Sequence, residues 1–521
     1  MQSGTGTGTP MEQALLVALP VGGWGAVAAV AVAVAVLAAL AAKAGVALWH
    51  KDRSNSPPVV PGFPLIGNLH QLREKRPHKT FLKWSGIYGP IYTIRTGASS
   101  VVVLNSTEVA KEAMVAKFSS ISTRKLSKAF SAITRDKTMV ATSDYGDFHK
   151  MVKRYVIAGA LGSSAQRKFR NTRDMMIDNM LSTYGKLVID DPHAPLNFRE
   201  VFKNELFRLS LIQSLGEDVS SVYVEEFGRE ISKDEIYQIT VVDIMMCSID
   251  VDWRDFFPYL GWIPNRSFET RVHTTEYRRT AVMRALIHQQ KIRIARGEAR
   301  VSYLDFLVAE NTSLTEEQLT MLVWEELIEA ADTTLVATEW AMYELAKNPE
   351  KQNRLFREIQ EVCGDKTVTE DHLPQLAYLN GVFHETLRLH SPAPLVPPRF
   401  VHESTKLAGY NIPAGTQIII NLYGCNMNKN DWEEPEEWRP ERFLDGRFEA
   451  ADMYKTMAFG AGRRACPGVV QVANISCTAI ARFVQEFAWR LKEGDEDNVD
   501  TVQLMSYKLH PLYVYLTPRR V

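Results

Sequence analysis

The residues with the clearest chemistry are Phe459-Gly460-Ala461-Gly462-Arg463-Arg464-Ala465-Cys466-Pro467-Gly468, a lone cysteine in a glycine-rich turn ahead of an apolar helix expected over 469–491. Such a turn presents its sulfur. Pro467 suits the first helical turn, and a helix N-terminus favours the thiolate of a nearby cysteine. Arg464 adds positive charge, while Gly460 and Gly462 let backbone approach a flat ligand where a Cβ would block it. The arrangement suits a thiolate bound axially to a metal or macrocycle. Two other readings compete. A single cysteine is ordinarily a buried, inert core residue. Gly460 to Ala465 also fits a loose G-x-G-x-x-A dinucleotide pattern, with Glu486 about twenty residues on. Against that, Asp452-Met453-Tyr454-Lys455-Thr456 is no buried strand, and no βαβ unit is visible.

Two further groupings set titratable side chains at helical spacing. Glu385 and Arg388 lie three apart and can pair on one helix face, in most proteins a surface contact worth roughly 0.2–0.5 kcal/mol. Glu329-Ala330-Ala331-Asp332-Thr333-Thr334 puts an acid before two threonines in mid-helix. A threonine hydroxyl there can bond the carbonyl one turn back, loosening the helix and making room for a small ligand. The plainer reading is an exposed polar face.

Phe459, Gly462, Arg464, Cys466 and Gly468 together reproduce F-x-x-G-x-R-x-C-x-G, and through this loop the chain resembles the cytochrome P450 family, the haem-thiolate monooxygenases. The resemblance implies haem b (iron protoporphyrin IX) with Cys466 as its proximal ligand, Arg464 on a propionate, Phe459 beside the thiolate, and Gly462 and Gly468 shaping the loop. Other motifs follow in the family's order. Pro440-Glu441-Arg442-Phe443 would bring Arg442 onto Glu385 and Arg388 as a buried structural triad, costly to break because removing one member strands a charge. Asp332 and Thr333 would relay protons to dioxygen, with Ala330 where the family often has glycine. Within 145–154, His149 and Lys150 stand where many relatives have Trp-Arg. Lys150 would then serve a propionate without the bidentate fork of arginine; otherwise this is a basic solvated face.

Within the family, stretches 97–106, 145–154, 329–334 and 452–459 are similar to plant ent-kaurene oxidases. That likeness implies three successive oxidations of one ring-bound methyl, from ent-kaurene to ent-kaurenoic acid, on the route to gibberellins. Related paralogues hydroxylate other carbons of similar diterpenes for defence, and the motifs do not separate the two. A non-oxygenating haem-thiolate isomerase, disfavoured by Asp332 and Thr333, and a haem-binding sensor are alternatives of another class. A hydrocarbon offers no hydrogen-bonding group, so specificity should rest on an apolar pocket. The resemblance implies walls from the loop 118–140, from the stretch 328–334 with Ile328 and Ala331, from 393–396 with Leu395 and Val396, and from 504–506 with Met505. The chain carries no flavin or nicotinamide motif, so electrons should come from NADPH through a membrane-bound reductase.

These residues need a helical frame. The 3.6-residue period predicts helices over 107–117, 198–215, 267–297, 315–347, 352–362 and 378–390. Short strand-like runs fall at 91–94, 101–104, 417–420 and 512–515. The expected class is mostly α (α+β), a cytochrome P450 fold with a small sheet region.

Length and composition set the outer bounds. The 521 residues are 45% hydrophobic and 23% charged, a composition able to build a large core. Sixty basic against sixty-one acidic residues leave a net charge of -1 and no electrostatic reason to expect nucleic acid. Five cysteines without a C-x-x-C pair argue against a disulfide framework or a structural zinc site. Between Glu12 and Lys43 no side chain is charged, while a spanning helix needs only about twenty apolar residues. The run exceeds a signal peptide's apolar core. With Lys43, Lys51 and Arg53 beyond it, the positive-inside rule places the remainder in the cytosol. The expected organisation is an anchor in membrane lipid over 1–42, a basic and proline-rich connector over 43–67, and a haem-thiolate domain over 68–521. The membrane would be the endoplasmic reticulum or the plastid outer envelope.

Overall fold

The computed structural model describes residues 55–72, 76–298, 300–310, 313–449, 452–495, 501–502 and 505–519. The expected anchor lies outside the described residues, and no described helix is long and apolar enough to cross a membrane. Contacts divide the chain into Met1–Ser56 and Pro57–Val521, and every element named below belongs to the second unit.

Helix α1 (Pro77–Tyr88) opens with proline at its first position, where the missing N–H costs nothing. Strand β1 (Ile91–Thr96) turns at Gly97 (φ +61°) into β2 (Ser99–Leu104), pairing Ile91 with Leu104. Then come α2 (Asp147–Val156), α3 (Arg170–Asp190), α4 (Phe198–Leu215), α5 (Arg266–Ala295), α6 (Glu316–Lys347), α7 (Pro349–Cys363) and α8 (Ala377–Leu389). Strand β3 (Gln417–Ile420) runs parallel to β2. The chain closes with α9 (Val469–Glu486), β4 (Phe487–Leu491) and the antiparallel β5 (Tyr513–Pro518). Because β2 is paired on both sides, its apolar run Val101–Leu104 is buried throughout, as a central strand requires.

The proline-rich run joins the body. Thr93 N donates to Pro58 O (2.7 Å) and Val60 N to Thr93 O (2.9 Å), an edge position that tolerates proline.

Helix α6 is the spine. Its N-cap Thr315 forms a capping box with Gln318. Its first half, Leu319 to Ala331, packs with α5 in one hydrophobic cluster, and its second half, Leu335 to Ala346, packs with α3, α4, α7, α8 and α9 in another. Asp332, Thr333 and Thr334 fall at the seam. Two expected helices need amendment. Residues 107–117 form a short α-helix, Thr107–Lys111, followed by a π turn, Glu112–Ala116. The helix expected over 469–491 stops at Glu486, because burial from Phe487 to Leu491 alternates in the strand period and pairs β4 with β5.

Candidate functional site

The cysteine loop is held at both ends. A 3₁₀ turn, Met457–Phe459, leads to Gly460 (φ +68°), and a second, Gly462–Arg464, precedes the cysteine. Cys466 N donates to Phe459 O (3.0 Å), closing the loop. Gly462 has φ +71°, and a Cβ there would stand 2.7 Å from Met114 O, so both conformation and space demand glycine. Helix α9 begins at Val469 with Gly468 as its N-cap residue, leaving Pro467 just outside rather than in the first turn. Burial pushes the Cys466 thiol up to about 11, with the backbone N–H of Gly468 opposing the rise.

Between Leu319 and Ala346, the only residues of α6 that are not buried are Glu329, Ala330 and Thr333. Offsets of one, three and four place them on one helix face. In the middle of a body this size, that face can meet only an internal hollow. Cys466 is likewise accessible although deeply placed. Glu329's charge raises the Cys466 thiol, so the two face the same space. Burial lifts the Glu329 carboxyl to about 7, with Arg124 pulling it down. Thr333 Oγ1 donates to Glu329 O at 3.1 Å, the bond back to the previous turn, and the helix stays α-helical through it.

Asp332 looks elsewhere. It is buried, accepts from Tyr237 Oη at 3.1 Å, and lines a recess of about 530 Å³ with Arg199, Lys203, Tyr237 and Tyr507. Burial raises its carboxyl against the pull of the two tyrosines. The structure therefore sets Thr333 on the cysteine side and Asp332 on the opposite flank. Ile328 and Ala331, expected as pocket walls, are core residues of the first cluster. Helical phase turns Glu329, Ala330 and Thr333 to the hollow in their place. Leu395 and Val396 are half-buried beside β3, Val396 N donating to Ile420 O (3.0 Å). Ser506 N donates to Pro392 O (2.9 Å), which brings half-buried Met505 toward the same loop.

A cluster of unpaired cations tests whether a flat dianionic ligand fits here. Arg399 is 1% exposed, and its Nε and Nη1 have no partner. Arg464 Nε and Nη1 are also buried without one, although its Nη2 donates to Ser143 O (2.6 Å). His149 gives Nδ1 to a 2.9 Å contact with Ser143 Oγ and leaves Nε2 unbonded. Arg124 is also buried, and its guanidinium bonds the carbonyls of Ala141 (3.1 Å) and Pro397 (2.9 Å). Burial lowers all four groups, and the three arginines lower one another or His149. Among the described residues, Arg124, Arg399 and Arg464 form no ion pair. Buried cations without acceptors are costly, so the cluster fits two carboxylates supplied by a ligand, which the propionates of haem provide.

Lys150 is not part of this cluster. It is exposed, pairs with Asp147 (3.3 Å) and lies 5.5 Å from the Tyr145 ring centroid. The lysine on the loop side is Lys153, one turn beyond His149, whose Nζ donates to Arg463 O at 2.6 Å. Sequence reasoning passed over Arg124 and Arg399. For Arg399 a signal existed: it is the only charge in Pro394-Leu395-Val396-Pro397-Pro398-Arg399-Phe400-Val401.

Glu385, Arg388 and Arg442 come together with all three side chains essentially inaccessible. Arg388 grips Glu385 through Nε (2.7 Å) and Nη2 (2.8 Å), and Arg442 Nε reaches the same carboxylate at 3.1 Å. Arg388 Nη1 also donates to Asn426 O (3.0 Å), while Asn426 Oδ1 accepts from Met457 N (2.9 Å). A continuous hydrogen-bonded path thus ties the triad to the cysteine loop.

The family model for cytochrome P450 matches residues 57–515. Ent-kaurene oxidase 2 of Oryza sativa subsp. japonica is 75% identical over 96% of this chain and 98% of its own length. An ent-sandaracopimaradiene 3-hydroxylase of the same plant is 66% identical over 89% of this chain and 92% of its own. A zebra fish cytochrome P450 solved with abiraterone shares the fold, with a TM-score of 0.67 at 18% identity, over 85% of this chain and all of that one. With the cysteine loop, the cation cluster and the triad in place, the chain belongs to the cytochrome P450 family.

Proposed function

We propose that this monooxygenase oxidises one ring-bound methyl of ent-kaurene in three successive steps to ent-kaurenoic acid, in gibberellin synthesis. The observation that carries the reading is the 75% identity, over nearly the whole chain, to a relative named for ent-kaurene oxidation. A second reading, hydroxylation of a ring carbon of another diterpene for defence, draws on the 66% identity to a 3-hydroxylase of a different diterpene.

Members of the family use haem iron, dioxygen and NADPH-derived electrons delivered by a reductase. Haem, when bound, would supply the redox-active iron for C–H oxygenation with dioxygen, and a cysteine thiolate ligand would tune its electronics toward that chemistry. This chain's residues supply the rest. Cys466 Sγ would hold the haem iron, with Phe459 beside the thiolate and Gly462 and Gly468 shaping its loop. Arg124, Arg399, Arg464 and His149 would hold the propionates and fix the ring. Asp332, whose Oδ1 accepts from Tyr237 Oη (3.1 Å), sits on the recess side, its carboxyl raised by burial against the pull of Tyr507 and Tyr237. Thr333 Oγ1 stands on the hollow side, where it donates to Glu329 O at 3.1 Å. Leu395, Val396 and Met505 contribute apolar wall. Residues 1–42 anchor the protein in the endoplasmic reticulum or plastid outer envelope beside its reductase.

The test is co-expression with a plant reductase, a supply of ent-kaurene, and mass spectrometry of the products. Ent-kaurenoic acid supports the reading. Ring-hydroxylated product alone, or turnover confined to another diterpene, would transfer the protein to the second reading.

A further inference from the structure

Helix α6 carries four acids near the seam, and three of them are engaged. Glu325 accepts from the backbone N–H groups of Val140 and Ala141, both at 2.8 Å. Glu326 accepts from Ser214 Oγ. Asp332 is bonded by Tyr237 and Tyr507. Glu329 alone has no hydrogen-bond partner among the described residues, and it alone of the four is accessible, on the face that looks across the hollow to Cys466. Thr333 fixes the backbone beneath it through the Glu329 carbonyl, leaving both carboxyl oxygens of Glu329 for whatever occupies the hollow.

A carboxyl in this place is a poor neighbour for a hydrocarbon. Apolar substrate pressed against it removes water and returns no hydrogen bond. The oxidised forms of the same molecule differ: an alcohol donates to the carboxyl, and the hydrate of an aldehyde donates twice. A hydrogen bond to a charged or strongly polar group favours the oxygenated ligand over its parent by roughly 10- to 100-fold.

We propose that Glu329 is the substrate-positioning residue that recognises oxygenated intermediates, binding the hydroxyl installed by the first oxidation and retaining the diterpenoid for the next. This inference rests on the multi-step oxidation proposed above. It accounts for an acid on the wall of a pocket whose first substrate is apolar. It also makes the carboxyl a determinant of how far oxidation proceeds, rather than of whether it begins.

The test uses the full-length haem-loaded protein with Glu329→Leu, Glu329→Ala and Glu329→Gln, each first checked for the thiolate carbon monoxide band. Soret titrations with ent-kaurene and with its primary alcohol, ent-kaurenol, give the two affinities, and short reductase-coupled incubations give the ratio of alcohol to acid. The leucine and alanine variants should bind ent-kaurenol roughly 10- to 100-fold more weakly, hold ent-kaurene within about twofold of the parent, and release alcohol as the main product. Glutamine, which both donates and accepts, should stay within about threefold of the parent. If leucine fails to fold, alanine carries the same criteria. Equal loss of both affinities would reduce Glu329 to a structural part and overturn the inference. An unchanged alcohol affinity and unchanged alcohol-to-acid ratio would overturn it as well. A parent protein that oxidises no ent-kaurene would overturn the functional reading and this inference together. A parent that makes the acid with indifferent variants would remove Glu329 alone.

Discussion

Arg399 offers the sharpest quantitative test of the cation cluster. It is 1% exposed, two of its nitrogens lack partners, and Arg464 repels it from nearby. Burial, reinforced by Arg464, pulls its guanidinium down to about 10, which disfavours the charged form in the ligand-free fold by roughly 3 kcal/mol. Because the folded value lies below the unfolded one, that penalty is fully present at every pH below 10. A propionate turns the penalty into a charge-assisted pair worth roughly 1.5–3 kcal/mol. Arg399→Met should therefore accelerate haem transfer from the purified protein to excess apomyoglobin by roughly 10- to 150-fold, followed at the Soret band. The same substitution should raise the urea midpoint of protein expressed under haem starvation, since it removes a charge that then has no acceptor. Lys150→Met, on the outward face of α2, should alter haem transfer by less than about twofold. Unchanged transfer for Arg399→Met, or equal acceleration by Lys150→Met, would refute the assignment.

Other expectations follow from the same contacts. Cys466→Ala should abolish the red-shifted Soret band of the reduced carbon monoxide complex, and its persistence would remove Cys466 as the ligand. Glu385→Leu leaves two buried guanidinium groups without their carboxylate and should cost roughly 3–5 kcal/mol in urea unfolding; a loss under about 1 kcal/mol would mean the triad is compensated elsewhere. His384 is fully buried with both ring nitrogens unbonded, and burial lowers it to about 3. Between that value and its ordinary one the unfolded chain binds more protons, so stability falls as pH drops below about 6.5. Relative to His384→Leu, the parent should lose ~2 kcal/mol between pH 7 and pH 5, and parallel pH profiles would contradict this.

The parts that were legible in the sequence are those fixed by short, local constraints. The cysteine loop needs positive φ at Gly460 and Gly462, and only glycine supplies that freely. Glu385 and Arg388 sit one turn apart, and Thr315 with Gln318 marks the start of α6. What was not legible depends on helical phase and on long-range packing. Lys150 and Lys153 both follow His149, yet only the latter returns to its face after a full turn. The resemblance marks the stretch 328–334 as pocket wall without giving its helical phase, which puts apolar Ile328 and Ala331 in the core and leaves Glu329 and Thr333 at the hollow. Arg399 reaches the site from a two-residue strand, Arg399–Phe400, too short to carry a period. In β4, the alternation of Phe487, Trp489 and Leu491 was hidden by its continuity with the apolar helix before it.

The measurement that bears most directly on the central claim follows the reacting methyl itself. Ent-kaurene carrying three deuterium atoms on that methyl is supplied to the reductase-coupled protein, and the products are analysed by mass spectrometry. Three oxidations of one carbon convert the trideuteromethyl group to a carboxyl group, so the account predicts ent-kaurenoic acid from which all three deuterium atoms are gone. Hydroxylated product that keeps all three would place the oxidation on another carbon and contradict it.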